Sequence, residues 1–284
     1  MKQYLHHEFS ADDPELVSVI DEVPLWAAPF GFDLLETVVL RPDIRALDVG
    51  CGLGFPLLEL AFRLGSSSRV VGLDPWERAL DRVRLKKRVL DIGNVEVVKG
   101  VAEDMPFDNA VFDLVVSNNG INNVRDVHSS LAECARVSKP GAQFVLTFNT
   151  QETMREFYDM FEQTLRESGH VAEIARMKEH IYAKRKPVSE VESLLRTSGF
   201  GCIRLRTGEF ALKFLDGTTM FSHYLIKYWF LGGWKEVVAR EDRERIFDRV
   251  EAELNIIARG KGCLSLTVPY VTIDCRRERG DRFL

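Results

Sequence analysis

Short apolar runs alternate with amphipathic segments over the first half of the chain. The runs have the length and composition of buried strands, and the segments between them have the spacing of helices. The predicted strands are Arg45–Val49, Arg69–Leu73, Val95–Lys99, Leu114–Ser117 and Gln143–Phe148, and the predicted helices are Pro56–Leu64, Glu77–Leu90 and Val127–Val137. This alternation predicts βαβ units, and therefore a parallel sheet with helices on both faces.

The pattern changes after residue 150. Cys202–Arg206 and Leu264–Val268 predict two more strands, and the remaining segments are mostly helical. The predicted helical segments are 12–40 with breaks at Pro24 and Pro29, Glu152–Ala183, Ser189–Ser198 and Asp216–Gly260. We therefore expect one α/β domain with a doubly wound, mostly parallel seven-stranded sheet and helical cap insertions. The expected core is about 40–150, 187–215 and 262–273, and the cap is 1–39, 151–186 and 216–260.

One apolar stripe stands out in the second expected insertion. Its members recur at the spacing of one helical face: Met220, Phe221, Tyr224, Leu225, Tyr228 and Trp229. Such a stripe is most often packing, although it can also line an apolar pocket or form a dimer contact. We expect the insertions and the N-terminal helices to form a lid over the strand ends.

Composition narrows the class of partner. Apolar residues make up 45% and charged residues 29%, which is typical of a soluble globular protein. The net charge of −5 disfavours nucleic acid, which basic surfaces bind. The odd count of 5 cysteines, without a Cys-x-x-Cys pair, disfavours a disulfide framework or zinc site. We see no signal peptide or membrane span, and expect a cytoplasmic protein without a metal.

A glycine-rich loop follows the first predicted strand. It comprises Asp48-Val49-Gly50-Cys51-Gly52-Leu53-Gly54. Ligands of parallel sheets bind at the carboxyl ends of the strands, where glycines allow close approach of the backbone. The spacing is G-x-G-x-G, and Phe55 stands where a dinucleotide loop has its third glycine. Asp48 suits a ligand's ammonium group better than a pyrophosphate. The alternative is that the glycines serve only to turn the chain.

Polar residues also follow the next strands. Asp74 ends the second strand, where a carboxylate can accept both hydroxyl protons of a ribose, which favours an adenosine-containing ligand. Gly100–Phe107 follows the third strand, and Ser117–Gly120 follows the fourth. The basic run Arg82–Arg88 lies on a predicted helix, and we expect it on a solvated face.

These motifs together resemble class I S-adenosylmethionine (SAM)-dependent methyltransferases of the small-molecule branch. LDVGCGLG is similar to motif I of that family, and Leu131–Phe148 is similar to its helix, Lys-Pro-Gly turn and fifth strand. The resemblance covers about residues 45–150, with the motifs in the family's order. It implies a Rossmann-like fold, SAM as cofactor and S-adenosylhomocysteine (SAH) as product.

The resemblance also implies where SAM binds. The loop would hold the methionine part, Asp74 the ribose, and the loop after the third strand the adenine, with Asp104 as the chosen side chain. The residues expected to bind the cofactor are Asp48, Gly50, Cys51, Gly52, Asp74, Pro75, Trp76, Ala102, Glu103, Asp104, Asn118 and Asn119. Packing for Trp76 and turn capping for Asp104 remain open as alternatives.

The reaction that the resemblance implies is in-line transfer of a methyl group to a small-molecule acceptor. Asn118-Asn119-Gly120-Ile121 replaces the Asn/Asp-Pro-Pro-aromatic motif of base-methylating enzymes, which disfavours that activity. A general base is optional, and no catalytic residue is assigned. Residues that could serve as a base are His128, Tyr158, His180, His223 and Tyr224. The alternatives are a SAM-binding regulator and, disfavoured by Phe55, an NAD(P)-dependent oxidoreductase. A homodimer is left open.

Overall fold

The computed structural model describes residues 2–6, 8–21 and 25–279. These residues form two compact units. The sheet unit comprises residues 10–21, 25–149, 187–208 and 270–279. The helical unit comprises residues 2–6, 8–9, 150–186 and 209–269. Residues 10–21 and 25–39, which the sequence assigns to the cap, belong to the sheet unit.

A seven-stranded sheet organises the described part of the chain, in the order β3-β2-β1-β4-β5-β7-β6. The first five strands pair in parallel, and β7 pairs antiparallel to β5. The mostly parallel, doubly wound α/β fold is therefore confirmed. The strands are β1 Arg45–Val49, β2 Arg69–Asp74, β3 Val95–Lys99, β4 Phe112–Asn118, β5 Ser138–Asn149, β6 Phe200–Phe214 and β7 Leu264–Arg277.

Helices cover both faces of the sheet because the strands are apolar on both sides. On one face Leu47, Val115 and Phe144 pack among residues of α5 and α8. On the other face Ala46 and Val116 pack among residues of α2, α3 and α4. The helices of this unit are α1 Pro14–Asp21, α2 Ala27–Thr37, α3 Leu57–Leu64, α4 Glu77–Val89, α5 Val127–Val137 and α8 Val188–Thr197.

Two prolines and a glycine differ from their predicted roles. Pro29 does not break a helix, because it lies in the first turn of α2, where its missing N–H costs nothing. Pro24 lies outside the described residues. Pro140 and Gly141 lie inside β5 and not in a turn before it. Gly141 has φ +83°, and the pairing with β4 shifts register there, so the segment is a bulge.

The helical unit has its own aromatic core. The rings of Phe157 and Trp234 stack at 3.7 Å, and those of Tyr4 and Phe221 stack at 4.7 Å. Tyr4 also donates a hydrogen bond to Glu251 at 2.6 Å. The remaining helices of the described chain are α6 Arg155–Glu167, α7 Val171–Lys184, α9 Gly217–Ser222, α10 Leu231–Val237 and α11 Arg243–Lys261.

The predicted apolar face from Met220 to Trp229 is wrong as a single helical face. α9 ends at Ser222, and the chain resumes as a π-helical turn over Ile226–Phe230. Met220 and Leu225 are buried, but Trp229 is 43% exposed because the break changes the periodicity. No helix in the described ranges is both long enough and apolar enough to cross a membrane.

Candidate functional site

A cleft of about 300 Å³ opens at the carboxyl ends of β1, β2, β3 and β4. That volume is at the lower end of the range for small-molecule pockets. All residues lining the cleft belong to the sheet unit. They are Val49, Gly50, Leu73, Asp74, Pro75, Gly100, Val101, Ala102, Glu103, Gly120, Asn123, Val124 and Arg125.

The glycine-rich loop forms one wall of the cleft through its backbone. The Gly50 N–H donates to the Leu73 carbonyl at 2.8 Å, which ties the loop to the end of β2. Gly50, Gly52 and Gly54 have φ values of +78°, +48° and +102°, in the left-handed region that favours glycine. The loop can adopt this conformation because the motif places a glycine at each of these three positions.

Gly120 brings the chain after β4 against the end of β1. A Cβ at this position would lie 2.8 Å from the Val49 carbonyl oxygen and 2.7 Å from Ser117 Oγ. The Ser117 hydroxyl donates to the same Val49 carbonyl at 2.9 Å. Gly120 was not among the predicted site residues, although it stands in the quoted motif. Because Gly120 has no side chain, backbone atoms alone form this wall of the cleft.

Asp48 is fully buried, and neither of its carboxylate oxygens has a hydrogen-bond partner in the described chain. It faces the same side of β1 as Ala46, toward the apolar cluster under α3. Burial, followed by the nearby charge of Asp74, raises the pKa of Asp48 to about 8, while the backbone N–H of Leu57 acts in the opposite direction. Asp48 is not a lining residue of the cleft, so its predicted contact with an ammonium group stays a prediction.

Asp74 lies at the end of β2 and lines the cleft. Its two carboxylate oxygens accept hydrogen bonds from the backbone N–H groups of Trp76 at 2.8 Å and Gly52 at 2.9 Å. Burial raises the pKa of Asp74, and these two N–H groups act in the opposite direction. The side chain therefore joins the end of β2 to the glycine loop and presents a carboxylate to the cleft.

Trp76 lies outside the lining of the cleft. Its indole N–H donates to the Ala11 carbonyl at 2.9 Å, so it anchors the segment before α1. This supports packing over adenine stacking for the ring in this structure. Pro75 does line the cleft.

The loop after β3 contributes Ala102 and Glu103 to the lining, whereas Asp104 is exposed and lies outside it. The Glu103 carboxylate accepts from the backbone N–H of Arg125 at 2.6 Å. Glu103 thereby holds the segment 123–125 against the cleft. The geometry favours Glu103 over Asp104 as the acidic side chain of this wall.

Asn118 and Asn119 lie just after β4 and have polar partners outside the lining. Asn118 donates to the Ala27 carbonyl at 3.1 Å and accepts from Thr147 Oγ1 at 2.9 Å. The Asn119 side-chain oxygen accepts from the Asn149 N–H at 3.1 Å. Both amides therefore join β4 to its neighbours. The segment that does line the cleft, 123–125, carries no motif by which the sequence could reveal it.

The loop, the acid after β2 and the cleft lie in a segment that known proteins share. A sequence profile described as "Methyltransferase domain" matches residues 47–146. This segment, which is similar to that family, is called the methyltransferase domain. It contains the glycine loop, Asp74 and every residue that lines the cleft.

Curated relatives match part of the chain. Demethylmenaquinone methyltransferases from Bacillus cereus and Bacillus anthracis are 36% identical over 125 residues. The match covers 44% of this chain and 53% of the relatives, so the chain spans about half the length of the curated relatives it matches.

Solved structures share the fold at low identity. YcgJ from Bacillus subtilis is 16% identical, with a TM-score of 0.59 over 89% of this chain and 100% of that one. The [4+2]-cyclase SpnF is also 16% identical, with a TM-score of 0.55 over 89% and 82%. Phosphoethanolamine N-methyltransferase 2 from Haemonchus contortus, in complex with SAM, is 14% identical, with a TM-score of 0.54 over 88% and 52%. These likenesses show the fold alone.

The residues that the sequence offered as general bases are not brought together at the cleft. Tyr158, His180, His223 and Tyr224 belong to the helical unit. His128 is exposed at the start of α5, in the methyltransferase domain. In the described ranges, no group of His, Cys, Asp and Glu side chains could hold a metal ion.

A clasp that the sequence did not reveal holds the glycine loop from outside. Asp21, at the end of α1, is almost fully buried and pairs with Arg82 and Lys86 of α4. Lys86 also donates to the Leu53 carbonyl of the loop at 2.7 Å. The expectation that the run Arg82–Arg88 lies on a solvated face is therefore wrong for these two residues, because α1 covers them.

Proposed function

We propose that the protein binds SAM in the cleft of its methyltransferase domain and transfers the methyl group to a small-molecule acceptor. The observation that carries this proposal is the hydrogen bond from the glycine loop to the Asp74 carboxylate, which lies in the cleft lining. That arrangement lies inside the segment matched by the family. Such a cleft, at the carboxyl ends of parallel strands, is where this fold class binds nucleosides.

The residues present fit SAM. The backbone of Gly50 and Gly120 lines the cleft without side chains, which leaves room for close approach of a ligand. Asp74 would accept the ribose hydroxyls, and Ala102 and Glu103 would flank the adenine. Asp48 is a buried carboxylate without a partner in the described chain, and it would supply negative charge near the cationic methionine end.

The chain's own residues would act by holding and shielding the reactants. SAM itself supplies a methyl group on a sulfonium, which is already a strong electrophile. The titratable residues that line the cleft are Asp74, Glu103 and Arg125. Asp74 and Glu103 are engaged by backbone N–H groups, so the cleft offers no evident base. Positioning of donor and acceptor would then supply most of the acceleration.

We also propose the class of the methyl acceptor. A net charge of −5 favours a small molecule over nucleic acid. The matched relatives are named for demethylmenaquinone, so a quinol is the first acceptor to test. A cytoplasmic location is also proposed, and the described cysteines Cys51, Cys134, Cys263 and Cys275 are all unpaired, which suits a reducing compartment.

Calorimetric titration with SAM, SAH and NADH tests the cofactor. We expect saturable binding of SAM and SAH with one site, and no binding of NADH. Binding of NADH without SAM would contradict the proposal and favour an oxidoreductase. Binding of SAM without later methyl transfer would favour the non-catalytic alternative.

Asp74→Ala should weaken SAM binding. Loss of hydrogen bonds to a charged group costs roughly 1.5–3 kcal/mol, which corresponds to about 10- to 150-fold in affinity. Titration calorimetry measures the change, and a thermal melt confirms that the variant is folded. Asp108→Ala is the matched control, because Asp108 is exposed and lies outside the cleft lining. Equal SAM affinity in the wild type and Asp74→Ala would refute the assignment of the ribose site.

A further inference from the structure

Arg185 is a buried arginine in the helical unit. It follows α7 directly and is only 4% exposed, whereas its neighbour Lys184 is exposed. Its Nη1 has no hydrogen-bond partner, and its guanidinium makes no hydrogen bond or ion pair with any described residue. Arginine is almost never buried unless it is paired, so this guanidinium calls for an explanation.

The contact that the guanidinium does make leaves its donors unused. Its central carbon lies 5.8 Å from the centroid of the Tyr158 ring. The Tyr158 hydroxyl accepts from the Trp234 indole N–H at 3.0 Å, which fixes the ring. A cation over an aromatic face is stabilised, but the N–H groups in the plane of the guanidinium gain no acceptor from it.

Three glutamates of the neighbouring helix are engaged elsewhere. α6 packs against α7, and three of its glutamates have other partners. Glu156 accepts from Thr267, Glu162 pairs with Arg166 and Lys178, and Glu167 pairs with Arg249. The carbonyl end of α7 offsets part of the charge of Arg185, but only weakly. No described carboxylate therefore pairs with Arg185, and its positive charge is open to an added anionic group.

We propose that Arg185 binds the oxyanion of a small molecule, a carboxylate or a phosphate, within the helical unit. A guanidinium offers paired N–H donors whose fork matches either group, and burial strengthens such a contact. The half-buried ring of His180 is close enough to feel the charge. Burial and then Arg185 lower the pKa of His180, so His180 is neutral near pH 7 and adds a polar contact without a charge.

Thermal unfolding of the full chain with acetate, inorganic phosphate and chloride at equal ionic strength tests this site without SAM. We expect a saturable rise in Tm with acetate or with phosphate beyond the effect of chloride. The anion that acts identifies the ligand as a carboxylate or a phosphate. Because no cofactor is present, the result does not depend on the proposed methyl transfer.

Three variants assign the response to Arg185. Arg185→Met should weaken the active anion's apparent affinity by about 10- to 150-fold, because charge-assisted hydrogen bonds are lost. Arg185→Lys should keep part of the response. Lys184→Met makes the same change in net charge one residue away, at an exposed position, and should keep all of it.

A second readout separates binding from packing. Without added anions, Arg185→Met should unfold at a higher temperature than the wild type, since an uncompensated buried charge is removed. A purely structural arginine gives the opposite sign. The proposal is overturned if the wild type shows no saturable response to either anion, or if Arg185→Met keeps the response of the wild type.

Discussion

Asp48 is the residue at which burial and charge conflict most directly. Its carboxyl is fully buried beside Cys51 and near Asp74, and it has no hydrogen-bond partner in the described chain. Its pKa is raised to about 8, so in the unliganded protein it holds a proton at neutral pH. In the unfolded chain an aspartate releases that proton near pH 4. Between these two values the folded state binds the extra proton.

Stability should therefore fall as pH rises from about 4 to 8, because over this window folding must take up a proton that the unfolded state has released. Asp48→Asn removes this dependence. At pH 8 we expect the variant to be more stable than the wild type by up to roughly 4 kcal/mol, because only the wild type takes up a proton on folding and each pH unit above 5 costs it about 1.4 kcal/mol. At pH 5 the two should be nearly equal. Urea unfolding at both pH values measures the difference.

Asp104→Asn is the control for this pH series, since Asp104 is exposed to solvent. If the free energies of unfolding of the wild type and of Asp48→Asn change in parallel between pH 5 and 8, Asp48 is ionised or partnered throughout that range. The same Asn variant should bind SAM more weakly, if Asp48 supplies charge to the methionine end.

Gly120 gives a second prediction, on stability and on SAM binding. Gly120→Ala places a Cβ 2.8 Å from the Val49 carbonyl oxygen, so the loops after β1 and β4 must move apart. We expect a loss of roughly 1–3 kcal/mol in stability and weaker SAM binding. Gly93→Ala is the matched control, because its Cβ meets nothing within 4 Å. Equal melting temperatures for the two variants would contradict the close approach.

The sequence identifies some residues of the cleft and not others, for a physical reason. Gly50, Gly52 and Asp74 are recognisable because a ligand at strand ends needs those residue types at those places. The segment 123–125 is not, because only the fold brings it to the cleft, where the Glu103 carboxylate accepts hydrogen bonds from the N–H groups of Arg125 and Asp126. Nothing in the sequence distinguishes Asp104 from Glu103, because adjacent acids in a turn have no distinguishing pattern.

At the scale of elements, α1 and α4 form the clasp around the glycine loop. Lys86→Met removes the hydrogen bond to the Leu53 carbonyl and one of the two ion pairs of Asp21. We expect SAM affinity to fall several-fold with little change in the fold, because Arg82 still holds α1. Calorimetry with SAM and a thermal melt separate these effects.

Arg88→Met is the control for the clasp, since it makes the same change in charge at an exposed position at the end of α4. Lys86→Arg should restore part of the affinity. If Lys86→Met binds SAM as tightly as Arg88→Met, the clasp plays no part in shaping the loop.

Elements with strong local patterns follow the sequence closely. β1, β3 and α5 have the predicted bounds, because their apolar runs are flanked by clear turn or capping residues. The failures lie where tertiary packing decides. α9 breaks at Ser222 and the chain continues as a π-helical turn, which no periodicity encodes. β6 and β7 extend far beyond their apolar centres, because pairing within the sheet and not hydrophobicity sustains them.

At the scale of the whole molecule, the chain combines a sheet unit with a helical unit. The methyltransferase domain occupies residues 47–146, and proteins of different reactions share the architecture, the [4+2]-cyclase SpnF among them. Fold alone therefore does not fix the reaction, and the chemistry must be argued from the cleft. The predicted lid over the strand ends stays a prediction.

Methyl transfer itself tests the central claim most directly. The protein is incubated with SAM carrying a ¹³C-labelled methyl group and with a panel of quinols and small polar metabolites. Mass spectrometry then follows SAH and labelled products. We predict that one acceptor gains the labelled methyl group, with SAH formed in equal amount, and that Asp74→Ala slows this transfer while Asp108→Ala does not. Saturable SAM binding without SAH formation above the protein-free control, across panels and whole metabolite extracts, would contradict the account.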